Sequence, residues 1–279
     1  MNYYPLIRGR QYDLLALKEA VEKDALSPHV LPVIEPVKDL PALTAVAKAF
    51  TARKHLLFVV QNPQVGRYGL LASPVHRAAL SPWVQSARYF DGQTGALIIA
   101  ETLAQVVALP NGQVSLIPAG ARFRRLHLKH AAYLEDHTPT RERTEDYHLV
   151  QREFYQYPQQ TLPGSGFADY PLATRHYDER GYPQRALSLH LLFEQHEQLW
   201  VQHFTSVNNE DFSHPQDKFF EAAAPLSAWL TATPKASTPA LRELIELAAA
   251  RHFPGAGVLR KLQLRHFLSV MGHYLDTSF

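Results

Sequence analysis

The chain contains no cysteine. Disulfide scaffolding, thiolate-held zinc and cysteine nucleophiles are therefore excluded, and the lack fits a reducing compartment. Charge of one sign is also lacking, since the formal net charge is +2. That balance gives no general electrostatic case for a nucleic-acid or membrane partner. No apolar run approaches the roughly 20 residues of a membrane helix. The opening MNYYPLIRGRQYDLL has no basic segment leading into an apolar stretch and cleavage site, so no signal peptide is expected. A soluble, cytoplasmic protein is the expectation. Several catalytic signatures are missing as well: a nucleophile elbow, a phosphate-binding Gly-x-x-x-x-Gly-Lys loop, a kinase set and a His-Glu-x-x-His pair. No repeat of solenoid period is visible.

What is present suits a sizeable core, with 46% hydrophobic and 19% charged residues in a chain of 279. Short apolar runs alternate with helical patterns. Runs at 3–7, 30–34, 56–60, 96–100, 114–117 and 131–134 read as strands. Segments 11–23, 40–50, 74–87, 103–109 and 121–129 read as helices. Apolar strands of about five residues separated by helices indicate parallel strands buried on both faces. Residues 138–166 are polar, with a middle that can be helical. Beyond them, 167–172 reads as a strand, 186–193 and 199–204 as a hairpin, and 217–231, 239–252 and 258–274 as helices. The strand count fits an α/β fold, a (β/α)8 TIM-barrel-like domain carrying a late β-hairpin and C-terminal helices. A doubly wound open sheet is the competitor, but Arg8-Gly9-Arg10 is no dinucleotide fingerprint. The linker-like TATPKASTP divides a barrel-like unit, 1–233, from a helical appendage, 234–279, which could also pack on the barrel as one domain.

In a barrel of this kind, sites lie where strands end. The residues at those ends are Arg8, Arg10, Glu35, Gln61, Asn62, Glu101, Glu135, Asp136 and Asp169. Carboxylates, an amide and arginines on one rim suit a phosphate or sugar, or a divalent metal held by oxygen. The same residues serve equally as turn and cap chemistry, and Glu101 reads foremost as a cap at a helix start. His190 and His203 lie in the hairpin. They are core histidines by default, or half of a metal site if both project to one face. Asp178, Glu179, Arg180 and Gly181 read as an exposed turn. A basic cluster, Arg122, Arg124, Arg125 and Lys129, could contact phosphates of a nucleic acid, though a charged helix face is the favoured reading.

Several segments occur in a familiar order: YYPLIRGRQYDLLALKE, VLPVIEPV, AAYLED, RTEDY, GFADYPL, ALSLHLLF and WVQHFTS. Together they resemble the beta protein family of bacteria and satellite phages, over the chain from its start to about Phe220. Members commonly carry Phe-Ser-Asp-Tyr where this chain has Phe167-Ala168-Asp169-Tyr170, so a hydroxyl is absent at Ala168. An Arg-Asn-x-Asp-Tyr pattern appears as Arg143-Thr144-Glu145-Asp146-Tyr147, which lacks the amide and retains Arg143, Asp146 and Tyr147. The resemblance implies a TIM-barrel-like protein associated with prophages and, for some relatives, with antiphage or toxin–antitoxin gene clusters. It supplies no settled activity. Two functions follow as expectations. One is binding of a protein partner encoded nearby, in phage defence or toxin neutralisation. The other is a barrel-mouth phosphodiesterase or nuclease, with a carboxylate as base or metal ligand and an arginine on phosphate.

Overall fold

The structure is a computed structural model and describes residues 1–23, 26–156, 166–179 and 185–278. Its centre is a closed barrel of eight parallel strands. In chain order these are β1 (Asn2–Gly9), β2 (Val33–Pro36), β3 (Leu57–Val60), β4 (Val84–Tyr89), β5 (Leu97–Ile99), β6 (Ser115–Pro118) and β7 (Ala131–Leu134). The next strand, β8 (Arg152–Gln156), leaves the barrel, and β9 (Gly166–Asp169) closes it by pairing with both β7 and β1.

Alternation along each strand sorts the core. Tyr4, Leu6, Val33, Phe58, Val60, Leu97, Ile99 and Leu116 fill the lumen. Their neighbours Tyr3, Ile7, Ile34, Leu57 and Val59 face outward and pack under helices. Those helices include α1 (Gln11–Lys23) and α2 (Pro41–Arg53), whose buried leucines and alanines recur at helical spacing. Two shorter ones, α3 (Leu103–Val107) and α4 (Ala121–Arg124), follow β5 and β6. A capping box in which Thr102 and Gln105 exchange hydrogen bonds starts α3.

Three segments depart from the sequence expectation. Residues 74–87 form turns and then β4, not a helix; Pro74 and Pro82 break the pattern, and Ser81 caps the turn that launches the strand. The helix expected over 121–129 is a single turn, ended before His127, which takes φ 47. The polar stretch after 138 holds a 3-10 turn at Thr144–Leu149 and the strand β8, while its residues 157–165 lie outside the described part.

The hairpin forms as expected from β10 (Ser188–Gln195) and β11 (Gln198–Thr205). His196 and His196's neighbour Glu197 both take positive φ, 52 and 60, the geometry of a two-residue turn matched to strand twist. β8 adds to β11 and completes a three-stranded antiparallel sheet outside the barrel. Helices α5 (Pro215–Ala223), α6 (Leu226–Ala232) and α7 (Pro239–Ala249) pack with the hairpin in one apolar cluster. The last helix, α8 (Ala256–Ser278), is shared. Leu264, Phe267, Leu268 and Met271 enter the same core as Tyr3, Ile7, Leu14 and Leu17. Within the segment read as an appendage, 234–279, α8 packs into the helical layer of the barrel. No helix among the described residues is long and apolar enough to cross a membrane.

Gly166 sits at the closing seam. A Cβ there would lie 2.0 Å from the carbonyl oxygen of Asn2 and 2.8 Å from its carbonyl carbon. Backbone cannot yield as a flexible side chain can. Gly166→Ala is expected to lower unfolding free energy by about 3 kcal/mol or to prevent closure, as read by urea denaturation.

Candidate functional site at the barrel mouth

β1 and β2 place Arg8 and Glu35 directly opposite in register, both on the lumen side at the strand ends. They form a buried ion pair. Tyr89, at the end of β4, donates from its hydroxyl to Glu35 Oε2 at 2.8 Å. The backbone N–H of Gln64 donates to Oε1 at 2.7 Å, so both carboxylate oxygens are engaged. The Arg8 guanidinium lies 4.9 Å from the ring centroid of Tyr170, a cation–π contact. Burial raises the Tyr89 phenol to about 12, against the pull of Arg8, and burial likewise raises Tyr170. Both phenols therefore stay protonated at neutral pH. Arg8 Nε has no hydrogen-bond partner among the described residues.

The chain after β9 crosses this mouth as a lid. Leu172 turns it with φ 52, an uncommon value for a leucine. The carbonyl of Arg175 accepts from Arg8 Nη2 at 2.8 Å, and its N–H donates to Asp136 Oδ1 at 2.8 Å. The Arg175 side chain reaches Glu101 at 2.7 Å. Further along, the carbonyl of Asp178 accepts from Arg10 at 2.6 Å, and Arg10 lies 5.0 Å from the ring centre of Tyr177. Glu179 meets Lys38 and Arg67, each at 3.3 Å. A cavity of about 150 Å³ remains beside the lid, lined by Glu101, Glu135, Asp136, Tyr170 and Arg175 among others.

Of the residues named from sequence, the mouth gathers Arg8, Arg10, Glu35, Glu101, Glu135 and Asp136. Glu101 engages the lid, while the α3 cap expected of it is made by Thr102. Glu135 pairs with Arg124 at 3.2 Å. Asn62 bridges strand ends: its side chain accepts from Tyr89 N at 2.9 Å and donates to Tyr89 O at 2.9 Å. Gln61 folds back on the carbonyl of Val59 at 2.8 Å. The turn expected at Asp178 and Glu179 is instead the tied end of the lid, and Arg180 and Gly181 lie outside the described residues.

Asp169 does not face the mouth. It follows Phe167 on the outer face of the barrel, fully buried, and accepts a short hydrogen bond from Tyr3. Burial drives its carboxyl up to about 7, partly offset by the Tyr3 bond and reinforced by Asp136. Tyr3 is raised well above its usual value by the same burial and by the Asp169 charge.

Asp146 and Tyr147 belong to the 3-10 turn against the outer sheet, which Arg143 precedes, and the Tyr147 ring contacts His190 edge-on and His203 at a tilt, at 4.5 and 4.7 Å between centroids. The two histidines are register partners whose Nδ1 atoms are 2.7 Å apart. At that separation they share a proton with each other, leaving no space for an ion between them. No group of three or more potential metal ligands exists among the described residues. In the basic cluster, Arg124 turns inward to Glu135, and Arg122, Arg125 and Lys129 are exposed.

Sequence reasoning missed Tyr89, because its strand reads as a helix, and Arg175, because nothing local marks a lid. Comparison of the chain with protein-family models, curated proteins and solved structures finds no match.

Proposed function

We propose that the protein binds a small phosphate-bearing molecule at the lidded barrel mouth, with Arg8 as the anion anchor. The observation that carries this reading is the Arg175 carbonyl on Arg8 Nη2. A neutral backbone acceptor from the segment after β9 occupies the outward edge of a guanidinium whose other edge is fixed by Glu35. A phosphate oxygen is the stronger acceptor for that edge, and displacing the lid carbonyl opens the 150 Å³ cavity to the rest of the ligand. Glu101, Glu135 and Asp136 on its wall are the carboxylates from which a general base for phosphodiester cleavage would come.

Thermal stabilisation by phenyl phosphate and by adenosine monophosphate, against phenol and adenosine, tests the reading. The phosphorylated compounds are expected to raise Tm and the neutral ones to leave it unchanged. The double replacement Arg8→Met with Glu35→Leu keeps the lumen filled and is expected to abolish the shift. A shift that survives in that variant refutes Arg8 as the anchor.

A second reading, the holding of a protein partner, has its own support. The β3–β4 connection carries no α-helix over the barrel and exposes Leu70, Leu71, Val75, Leu80 and Trp83, with Leu70 83% and Val75 82% accessible. Large apolar side chains exposed along one connection are candidates for an interaction surface. A partner from a phage-defence or toxin-neutralising gene cluster would dock there. Co-purification with the neighbouring gene product, lost on Leu70→Asp with Val75→Asp, is the expected result. Unchanged recovery with the double aspartate variant removes this surface from consideration.

A further inference from the structure

The outer sheet holds a linear chain of polar groups that the barrel mouth does not use. Arg141 donates to Glu153 Oε1 at 2.6 Å. Glu153 Oε2 lies 3.0 Å from His203 Nε2, and His203 Nδ1 lies 2.7 Å from His190 Nδ1. The carboxylate fixes the protons. Glu153 accepts, so His203 donates from Nε2 and, as a neutral ring, presents a lone pair at Nδ1. His190 must then donate from its own Nδ1, which leaves its Nε2 as the unprotonated end of the chain. Tyr147 packs on both rings and holds them in place.

His190 also lines a cavity of about 440 Å³ between the hairpin and the starts of α5 and α8. Phe212, Phe253 and Leu259 give that cavity an apolar wall, while Lys218 and Arg260 bring positive charge. None of its described lining residues is acidic. Asp13 and the carbonyls of Pro171 and Leu172 hold Arg260, and Asp211 holds Lys218, so both cations are fixed in position.

We propose that Glu153, His203 and His190 form a proton relay serving a second site, in which His190 Nε2 is the acid–base group for an amphipathic organic anion seated in this cavity. In the forward direction Nε2 takes a proton from a hydroxyl or water of the bound system. The Nδ1 proton of His190 passes to Nδ1 of His203, and the positive charge comes to rest on His203 against the Glu153 carboxylate. No charge stays on His190. Its surroundings fit that role, because burial, then the neighbouring His203 and Arg260 charges, push His190 down to about 3. Burial lowers His203 too, but Glu153 opposes it.

Alkylation provides the test, since the chain has no cysteine to compete for the reagent. Iodoacetate, a small anion, is expected to carboxymethylate His190 at Nε2, mapped by peptide mass spectrometry. Neutral iodoacetamide should react there about tenfold more slowly, because the field of the cavity favours the anion. Glu153→Gln should slow labelling about tenfold or more, because the opposite charge that stabilises a cationic His203 is gone. Ala256→Phe, at the exposed rim of the cavity, should block it as well. The proposal is overturned if His190 labels no faster than the exposed His148 and His214, or if labelling falls on Nδ1. Equal rates with the two reagents on the unmodified protein would remove the anion site, and that comparison needs no variant to fold.

Discussion

Glu35→Ala is expected to destabilise the protein by about 3–5 kcal/mol, the cost of leaving one member of a buried ion pair uncompensated. The guanidinium of Arg8 would remain in the lumen with only Tyr89, the ring of Tyr170 and one lid carbonyl as neighbours. For a chain of this size the loss corresponds to a fall in Tm of about 10 °C. Arg8→Met alone should be similarly harmful, since it would strip a carboxyl at zero exposure of its cationic partner. The two together, Arg8→Met with Glu35→Leu, should recover most of the stability, because well-packed apolar residues commonly replace a buried pair at little cost. A double-mutant cycle by urea denaturation measures all three. Recovery in the double variant would mean that the pair is kept for what the mouth binds, not for holding the barrel. Additive losses would mean the reverse.

The second large effect is a pH dependence at Asp169. In the unfolded chain this carboxyl titrates near the ordinary aspartate value of about 3.9, and in the folded protein near about 7. Between these two values the folded state holds a proton that the unfolded state has lost. Stability from this group is therefore full below pH ~4, declines as pH rises, and is exhausted above pH ~7. At about 1.4 kcal/mol per tenfold change in acidity, the loss is on the order of 4 kcal/mol. Asp169→Asn stays neutral throughout. Its amide would also leave an unpartnered N–H where Asp169 Oδ2 now has no partner, so at pH 4 the variant is expected to be equal or weaker. The quantity to follow is the difference, variant minus parent, which should rise from pH ~4 to pH ~7 in guanidinium titrations and level off above that. A flat difference would show that Asp169 is ionised in the folded state at neutral pH.

The barrel was legible because its strands are short, apolar and separated by helices with clear leucine spacing. Arg8 and Glu35 were legible as well, since each stands where an apolar run stops. Facing was not. Asp169 also ends a strand, yet one step of alternation turns it outward to Tyr3, and period-two alternation is hard to phase in a strand apolar on both faces. Residues 74–87 misled because alanines, a leucine and two valines there imitate helical spacing, although two prolines and an exposed apolar surface accompany them. The lid was beyond reach of local pattern. Arg175 gains its role from Arg8, Glu101 and Asp136, which come from three different strand ends, and such contacts leave no mark in nearby sequence. The histidine pair is partly legible: alternation in the hairpin singles out both positions, but their partner Glu153 lies on a strand hidden in a polar stretch.

Because α8 fills the core above β1 and α1, the order of synthesis and the order of assembly conflict. The first strand emerges from the ribosome more than two hundred residues before the helix that covers it. Until residues 256–278 are free, Tyr3, Ile7, Leu14 and Leu17 lack part of the apolar core that buries them, the side chains of Leu264, Phe267, Leu268 and Met271. The barrel's first strand and helix must therefore wait, with part of their apolar surface open to water and to chaperones, for α8 to arrive.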